Sequence, residues 1–141
     1  MESLHYLLMK AHTMLNQKIL SQAATIGLSS GQPKILEYLT EHEGSDQKTI
    51  AAYCKIEQAT VGSILTRMEN AGLIERRQTP GNRRSLYVYM TEKGRDAARK
   101  MEPIFTDSDC WAVENLTEEE TLQLKSLLDK ICIGMDTNQM E

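Results

Sequence analysis

Apolar residues recur at three- and four-residue steps through the first part of the chain: Leu4, Leu7, Leu8, Ala11, Leu15 and Ile19, with Met14 beside them. That period places them on one helical face and predicts a helix over residues 3–24. Gly27 closes this stretch, and Leu28-Ser29-Ser30 opens a second helix whose first turn tolerates Pro33. The second helix presents Ile35, Leu36 and Leu39 and is expected to stop at Gly44. Ser45 or Asp46 then caps a short helix through Ile50, Ala51 and Cys54. Lys55-Ile56-Glu57 reads as a tight turn into a further helix over 58–71, and Gly72 stands where a left-handed C-terminal cap belongs.

The period then changes. Leu86, Val88 and Met90 alternate with Tyr87 and Tyr89, as in a half-buried strand. Residues 73–78 and 85–90 are read as two short strands, joined by the turn-rich, basic run Thr79-Pro80-Gly81-Asn82-Arg83-Arg84. Thr91 caps another helix, expected to break near Pro103. Thr117-Glu118-Glu119-Glu120 has the spacing of a capping box with acids in the first turn. The helix it opens carries Leu122, Leu124, Leu127, Leu128 and Ile131 and is expected to fray after Gly134.

Composition narrows the class. Of the 141 residues 40% are hydrophobic, but with one Trp, one Phe and five Tyr the core must be aliphatic. No apolar run approaches the roughly 20 residues needed to cross a bilayer. The opening residues lack a basic leader and a small-residue cleavage site, so no signal peptide and no membrane association are expected. The expected location is the cytoplasm. Cys54, Cys110 and Cys132 are odd in number and widely spaced, and His5, His12 and His42 are not at ligand spacing from them. Neither a disulfide framework nor a metal site is expected, and no cofactor.

The net charge of −4 looks wrong for a nucleic-acid binder until it is divided along the chain. Residues 1–54 carry four basic and five acidic residues, 55–100 carry ten and five, and 101–141 carry two and ten. Positive charge is thus confined to the middle third, the pattern of a local phosphate-binding surface on an acidic body.

That third also holds two helices joined by a short turn, followed by a basic hairpin. A helix-turn-helix places its second helix in the major groove, with its N-terminal residues on base edges. With Val61 as reference and about 100° per residue, Ile64, Leu65 and Met68 fall on the same side and form the core stripe. Opposite lie Ala59, Ser63, Thr66, Arg67 and Asn70, with Thr60 at the edge and Gln58 in the first turn. Small side chains there admit the groove closely, and Gln, Thr, Ser and Arg can hydrogen-bond base edges. Arg76, Arg77, Arg83 and Arg84 crowd the hairpin, a repulsion that phosphates would relieve. Arg83 or Arg84 at the tip is expected to enter a minor groove. The fold class is therefore mainly α with a small β-hairpin wing (α+β).

Ala51, Thr60-Val61, the run Leu65-x-x-Met68-Glu69-x-x-Gly72-Leu73-Ile74-x-Arg76, the Arg83-Arg84 wing and Thr91-Glu92-Lys93-Gly94 together resemble the winged helix of the MarR family of bacterial regulators. The resemblance extends over nearly the whole chain. It implies a winged helix-turn-helix over 28–91, flanked by an N-terminal dimerisation helix at 1–27 and by helices at 92–141 that complete the dimerisation region. It implies a homodimeric transcriptional repressor on double-stranded DNA with a pseudo-palindromic operator. By position, its DNA contacts fall on Gln58, Ala59, Thr60, Ser63 and Arg67 of the helix and on Arg83 and Arg84 of the wing, to which the basic hairpin adds Arg77. The family's wing usually has Asp before its key arginine. Asn82 stands there instead, so an ion pair that would position the arginine is lost.

The resemblance further implies release by a small aromatic or phenolic effector bound between the dimerisation and DNA-binding parts. Met9, His12, Met14, Cys110 and Trp111 are the candidate pocket walls. Two alternatives accompany this reading: a redox-sensing regulator of the same fold, with Cys54 near Lys55 as the sensor, and a winged helix that binds protein. No nucleophile motif, phosphate loop or carboxylate pair suggests an enzyme.

Overall fold

A computed structural model describes residues 1–140, with side chains described for all of these except 82–84, 139 and 140. In chain order the elements are α1 (Leu4–Ala23), a 3₁₀ turn (Ala24–Ile26), α2 (Gln32–His42), β1 (Ser45–Asp46), α3 (Gln47–Cys54), α4 (Gln58–Asn70), β2 (Ile74–Thr79), β3 (Asn82–Met90), α5 (Glu92–Ala112) and α6 (Glu118–Met140). They fall into two compact units, Met1–Thr106 and Asp107–Glu141.

The first unit is built around one aliphatic core. Ile35, Leu36 and Leu39 of α2, Ile50 and Ala51 of α3, and Val61, Ile64, Leu65 and Met68 of α4 are buried in it. Ile74 of β2, Val88 and Met90 of β3, and Ala97, Ala98 and Met101 of α5 also belong to it. Each such Leu, Ile or Val side chain contributes about 1.5–3 kcal/mol by leaving water. Local signals set where the helices begin and end. The Asp46 carboxylate accepts the Thr49 amide at 2.8 Å, capping α3. α4 ends in a Schellman motif, with Leu73 N–H on the Met68 carbonyl at 2.9 Å and Gly72 N–H on that of Glu69 at 3.0 Å. Gly72 has φ +76°, which a residue without Cβ adopts freely.

The sheet has three antiparallel strands in the order β1-β3-β2. The sequence reading expected a hairpin and missed β1, whose Ser45 and Asp46 pair with Val88 and Tyr87. Two residues carry no alternation to detect, and both already read as helix-capping types. The connection is also shorter than expected: Thr79 pairs with Asn82, leaving Pro80-Gly81 as the turn.

Two further expectations are corrected. α5 runs unbroken through Pro103. Proline removes the hydrogen bond to the Arg99 carbonyl, but both residues are exposed, so water can serve that oxygen. On the other side Met101 is buried and Ile104 and Phe105 pack against the core, which holds the helix together across the gap. α6 likewise continues past Gly134 to Met140. A glycine costs a helix about 1 kcal/mol, too little to end a long one.

In the second unit α6 opens on a formed capping box. Glu120 N–H donates to the Thr117 hydroxyl at 3.1 Å, and Thr117 N–H to the Glu120 carboxylate at 3.0 Å. Its apolar stripe is exposed, Leu122 at 69% and Leu127 at 59%. In the first unit Leu4, Leu7, Leu8, Met9 and Met14 of α1 are exposed as well.

Candidate nucleic-acid interface

The wheel drawn from the sequence describes α4 well. Val61, Ile64, Leu65 and Met68 are buried, whereas Gln58, Ala59, Thr60, Ser63, Thr66, Arg67 and Asn70 are exposed. The Ser63 hydroxyl donates to the Ala59 carbonyl at 3.3 Å and that of Thr66 to the Gly62 carbonyl at 3.0 Å. The Ser63 hydroxyl keeps its acceptor lone pairs for other donors, whereas that of Thr66 already accepts from Arg76. Ala59, Gly62, Ser63, Thr66, Arg67 and Arg76 line a shallow concavity of about 640 Å³. Arg67 has no ion pair among the described residues and is the cation of this face.

Arg76 and Arg77 each have an acidic partner, which corrects the argument from mutual repulsion for these two. Arg76 donates to Glu69 through Nε at 3.4 Å and through Nη2 at 3.3 Å, and to the Thr66 hydroxyl at 3.1 Å. Its side chain is only 17% exposed. It neutralises a carboxylate of α4. Arg77 pairs with Glu75 on its own strand, and its guanidinium lies 4.1 Å from the centroid of the Tyr89 ring. Arg77 remains more than half exposed, so it can still approach a phosphate. Arg83 and Arg84 lie outside the residues whose side chains are described.

The sequence reading missed a neighbouring row. Asp46, Gln47 and Lys48 at the start of α3 line a cleft of about 340 Å³ with Gln58, Arg76 and strand residues of β3. Lys48 is exposed there, beside the first turn of α4. The signal was available, because the first helix of a helix-turn-helix crosses the DNA backbone.

The C-terminal end of α4 is clasped by the start of α5. The Thr91 hydroxyl donates to the Gly72 carbonyl at 2.6 Å, and Lys93 Nζ to that of Ala71 at 2.8 Å. A Cβ on Gly94 would collide with the Leu73 carbonyl oxygen. The Glu43 carboxylate accepts Met90 N–H at 2.9 Å and Arg95 at 3.4 Å, tying α2 to the same junction. The C-terminal end of α4 is therefore fixed to the start of α5.

Met9, His12 and Met14 are exposed on α1 in the first unit, and Cys110 and Trp111 are exposed near the end of α5 in the second. Cys54 is half-buried, and burial pushes its thiol up from the ordinary value, with Lys34 opposing and Glu37 adding to the shift. A sensor thiol needs the opposite. Among the described residues no group of three or more His, Cys, Asp or Glu could hold a metal ion. Among the described residues no helix is long and apolar enough to cross a membrane.

A helix-turn-helix followed by a sheet-borne basic wing defines a winged-helix protein. Residues 28–86 match the family model described as "MarR family". The HTH-type transcriptional repressor Rv2887 of Mycobacterium tuberculosis is 23% identical over 128 residues, which are 91% of this chain and 92% of the relative. A MarR family transcriptional regulator from Listeria monocytogenes, solved in complex with a 26mer DNA, superposes with a TM-score of 0.90 at 22% identity. That match covers 98% of this chain and 92% of the other. Rv2887 in complex with salicylic acid gives a TM-score of 0.75 at 23% identity, covering 93% and 97%.

Proposed function

We propose that this chain is a sequence-specific double-stranded-DNA-binding transcriptional regulator of the MarR type, acting as a repressor in the cytoplasm rather than as an enzyme. The observation that carries this reading is the two-sided α4. Its buried stripe anchors the helix, and its exposed face of Gln58, Ala59, Thr60, Ser63 and Arg67 offers base-reading groups beside a basic wing. Gln58, Thr60, Ser63 and Arg67 read base edges. Arg77 and Lys48 meet the phosphate backbone, and Arg83 or Arg84 at the tip enters a minor groove.

Residues 28–91 form the DNA-binding part, and 1–27 and 92–141 serve dimerisation. The exposed apolar stripes of α1 and α6 are each covered by a second copy of the chain, since such stripes left in water are unfavourable. A two-fold dimer calls for a pseudo-palindromic operator with half-sites about one helical turn apart. A small aromatic acid releases the operator, a reading supported by the Rv2887 complex with salicylic acid. Met9, His12, Met14, Cys110 and Trp111 are its candidate contacts. The redox alternative has less support, because burial raises the Cys54 thiol.

Selection of bound duplexes from a random pool tests the proposal. Enrichment of a two-fold symmetric sequence is expected, with Arg67→Ala relaxing preference at one base pair of each half-site. A pool that stays random through successive rounds would end the DNA reading.

A further inference from the structure

Gln47, the first residue of α3, reaches across the turn of the helix-turn-helix. Its Nε2 donates to the main-chain carbonyl of Gln58 at 2.9 Å. That carbonyl heads α4, where a helix uses one of its lone pairs for the amide four residues on, at Gly62. The Gln47 amide takes the second lone pair. Glu57, the N-cap of α4, makes no side-chain capping bond, so this contact from α3 supplies a side-chain restraint at the start of the reading helix.

Gly62 explains why the contact can exist. A Cβ built at Gly62 would lie 2.9 Å from Gln47 Nε2 and 3.6 Å from its Cδ and Oε1. Glycine weakens a helix interior and is otherwise a poor choice one turn into α4. Here its missing side chain is the space in which the Gln47 amide lies. Gln47 and Gln58 both line the cleft beside Arg76, and Gly62 lines the adjoining concavity with Ala59, Ser63 and Arg67. The latch therefore sits where the two surfaces of the proposed DNA interface meet.

We infer that Gln47 is a positioning residue that sets the base-reading first turn of α4, with Gly62 as the space that admits it, so that Gln47 governs sequence preference at the base pairs Gln58 reads. This inference rests on the DNA-binding reading above. The Gln47 amide holds the Gln58 backbone, and the Gln58 side chain starts from that fixed point. Without the latch the first turn can rotate or fray, and the base contacts blur while the phosphate contacts of the wing persist.

The test uses the full chain and four variants: Gln47→Ala, Gln58→Ala, the double variant, and Gly62→Ala. Circular dichroism and thermal unfolding first establish that each is folded. Affinities are then measured for the selected operator, for single-base-pair variants of it and for a scrambled duplex. Gln47→Ala should weaken operator binding about 2- to 10-fold, the effect of one lost hydrogen bond. Affinity for scrambled duplex should fall less than affinity for the operator. The loss should fall on the same base pairs as that of Gln58→Ala, and the double variant should lose less than the product of the two single losses. Gly62→Ala should reproduce the preference profile of Gln47→Ala by displacing its amide.

Equal losses on operator and scrambled duplex, or independent multiplicative losses for Gln47 and Gln58, would overturn the positioning role while leaving DNA binding intact. If Gly62→Ala is unfolded, the cycle between Gln47 and Gln58 decides alone. Failure of the unsubstituted protein to prefer any duplex removes the DNA-binding reading, and this inference with it.

Discussion

Arg76 of β2 and Glu69 of α4 are joined by two guanidinium–carboxylate contacts, with a third bond from Arg76 to Thr66. One side chain thus fastens the wing strand to the reading helix. Its low exposure gives the pair more weight than an ordinary surface ion pair, while the 41% exposure of the Glu69 side chain reduces it again. Arg76→Ala is expected to lower unfolding free energy by about 1 kcal/mol. Glu69→Gln, whose amide oxygen can still accept from Arg76, should cost less stability. Denaturant midpoints check both, and equal stability of Arg76→Ala and the parent would show that the brace carries no weight.

Gly94 packs against the Leu73 carbonyl with no room for a Cβ. Gly94→Ala must therefore push α5 away from the end of α4. The expected loss is about 1–3 kcal/mol, the usual range for overpacking. Gly81, at φ +90° with open space around it, contrasts with this: substitution there meets backbone strain but no clash. Thermal unfolding of Gly94→Ala should show a clear drop in midpoint.

Asp46 gives a pH-dependent prediction. Hydrogen bonds from the Thr49 hydroxyl and from the Thr49 amide, helped by Lys48, hold its carboxyl below the ordinary aspartate range. A carboxyl whose folded value is depressed stabilises the fold fully above its unfolded value of about 3.9. That contribution is lost as pH falls through the lower folded value. Asp46→Ala should cost about 1 kcal/mol at neutral pH, as for a lost N-cap. The gap between variant and parent should close on acidification, and a gap that is constant down to strong acid would contradict the capping role.

These sites differ in how far the sequence announced them. The core stripe of α4 was legible because burial follows a 3.6-residue period, and Val61, Ile64, Leu65 and Met68 repeat with it. Gly72 and the Thr117–Glu120 box were legible because caps act over a few residues. Arg76 could not be sorted from Arg77 in sequence, since its partner lies seven residues back across a helix-to-strand turn. β1 and the Gln47–Gln58 contact depend on segments brought together only by folding. Pro103 misled because local rules predict a break, while packing around Met101 and Phe105 holds α5 continuous.

The raised Cys54 thiol bears on regulation. If release were oxidative, Cys54→Ser would protect operator binding from peroxide. The opposite is expected: parent and Cys54→Ser should respond to peroxide alike. An added aromatic acid such as salicylate should weaken operator binding, and His12→Ala should blunt that response. A full response in the variant would remove His12 from the candidate contacts.

The central claim is that the middle third of a net-acidic chain binds duplex DNA through several phosphate contacts. The most direct measurement is the affinity for duplex DNA across a salt series. Each neutralised phosphate adds about −0.9 to the slope of log K against log salt concentration. A steep negative slope is predicted, made shallower by about one per subunit on Lys48→Ala or Arg77→Ala. A flat slope would contradict the account.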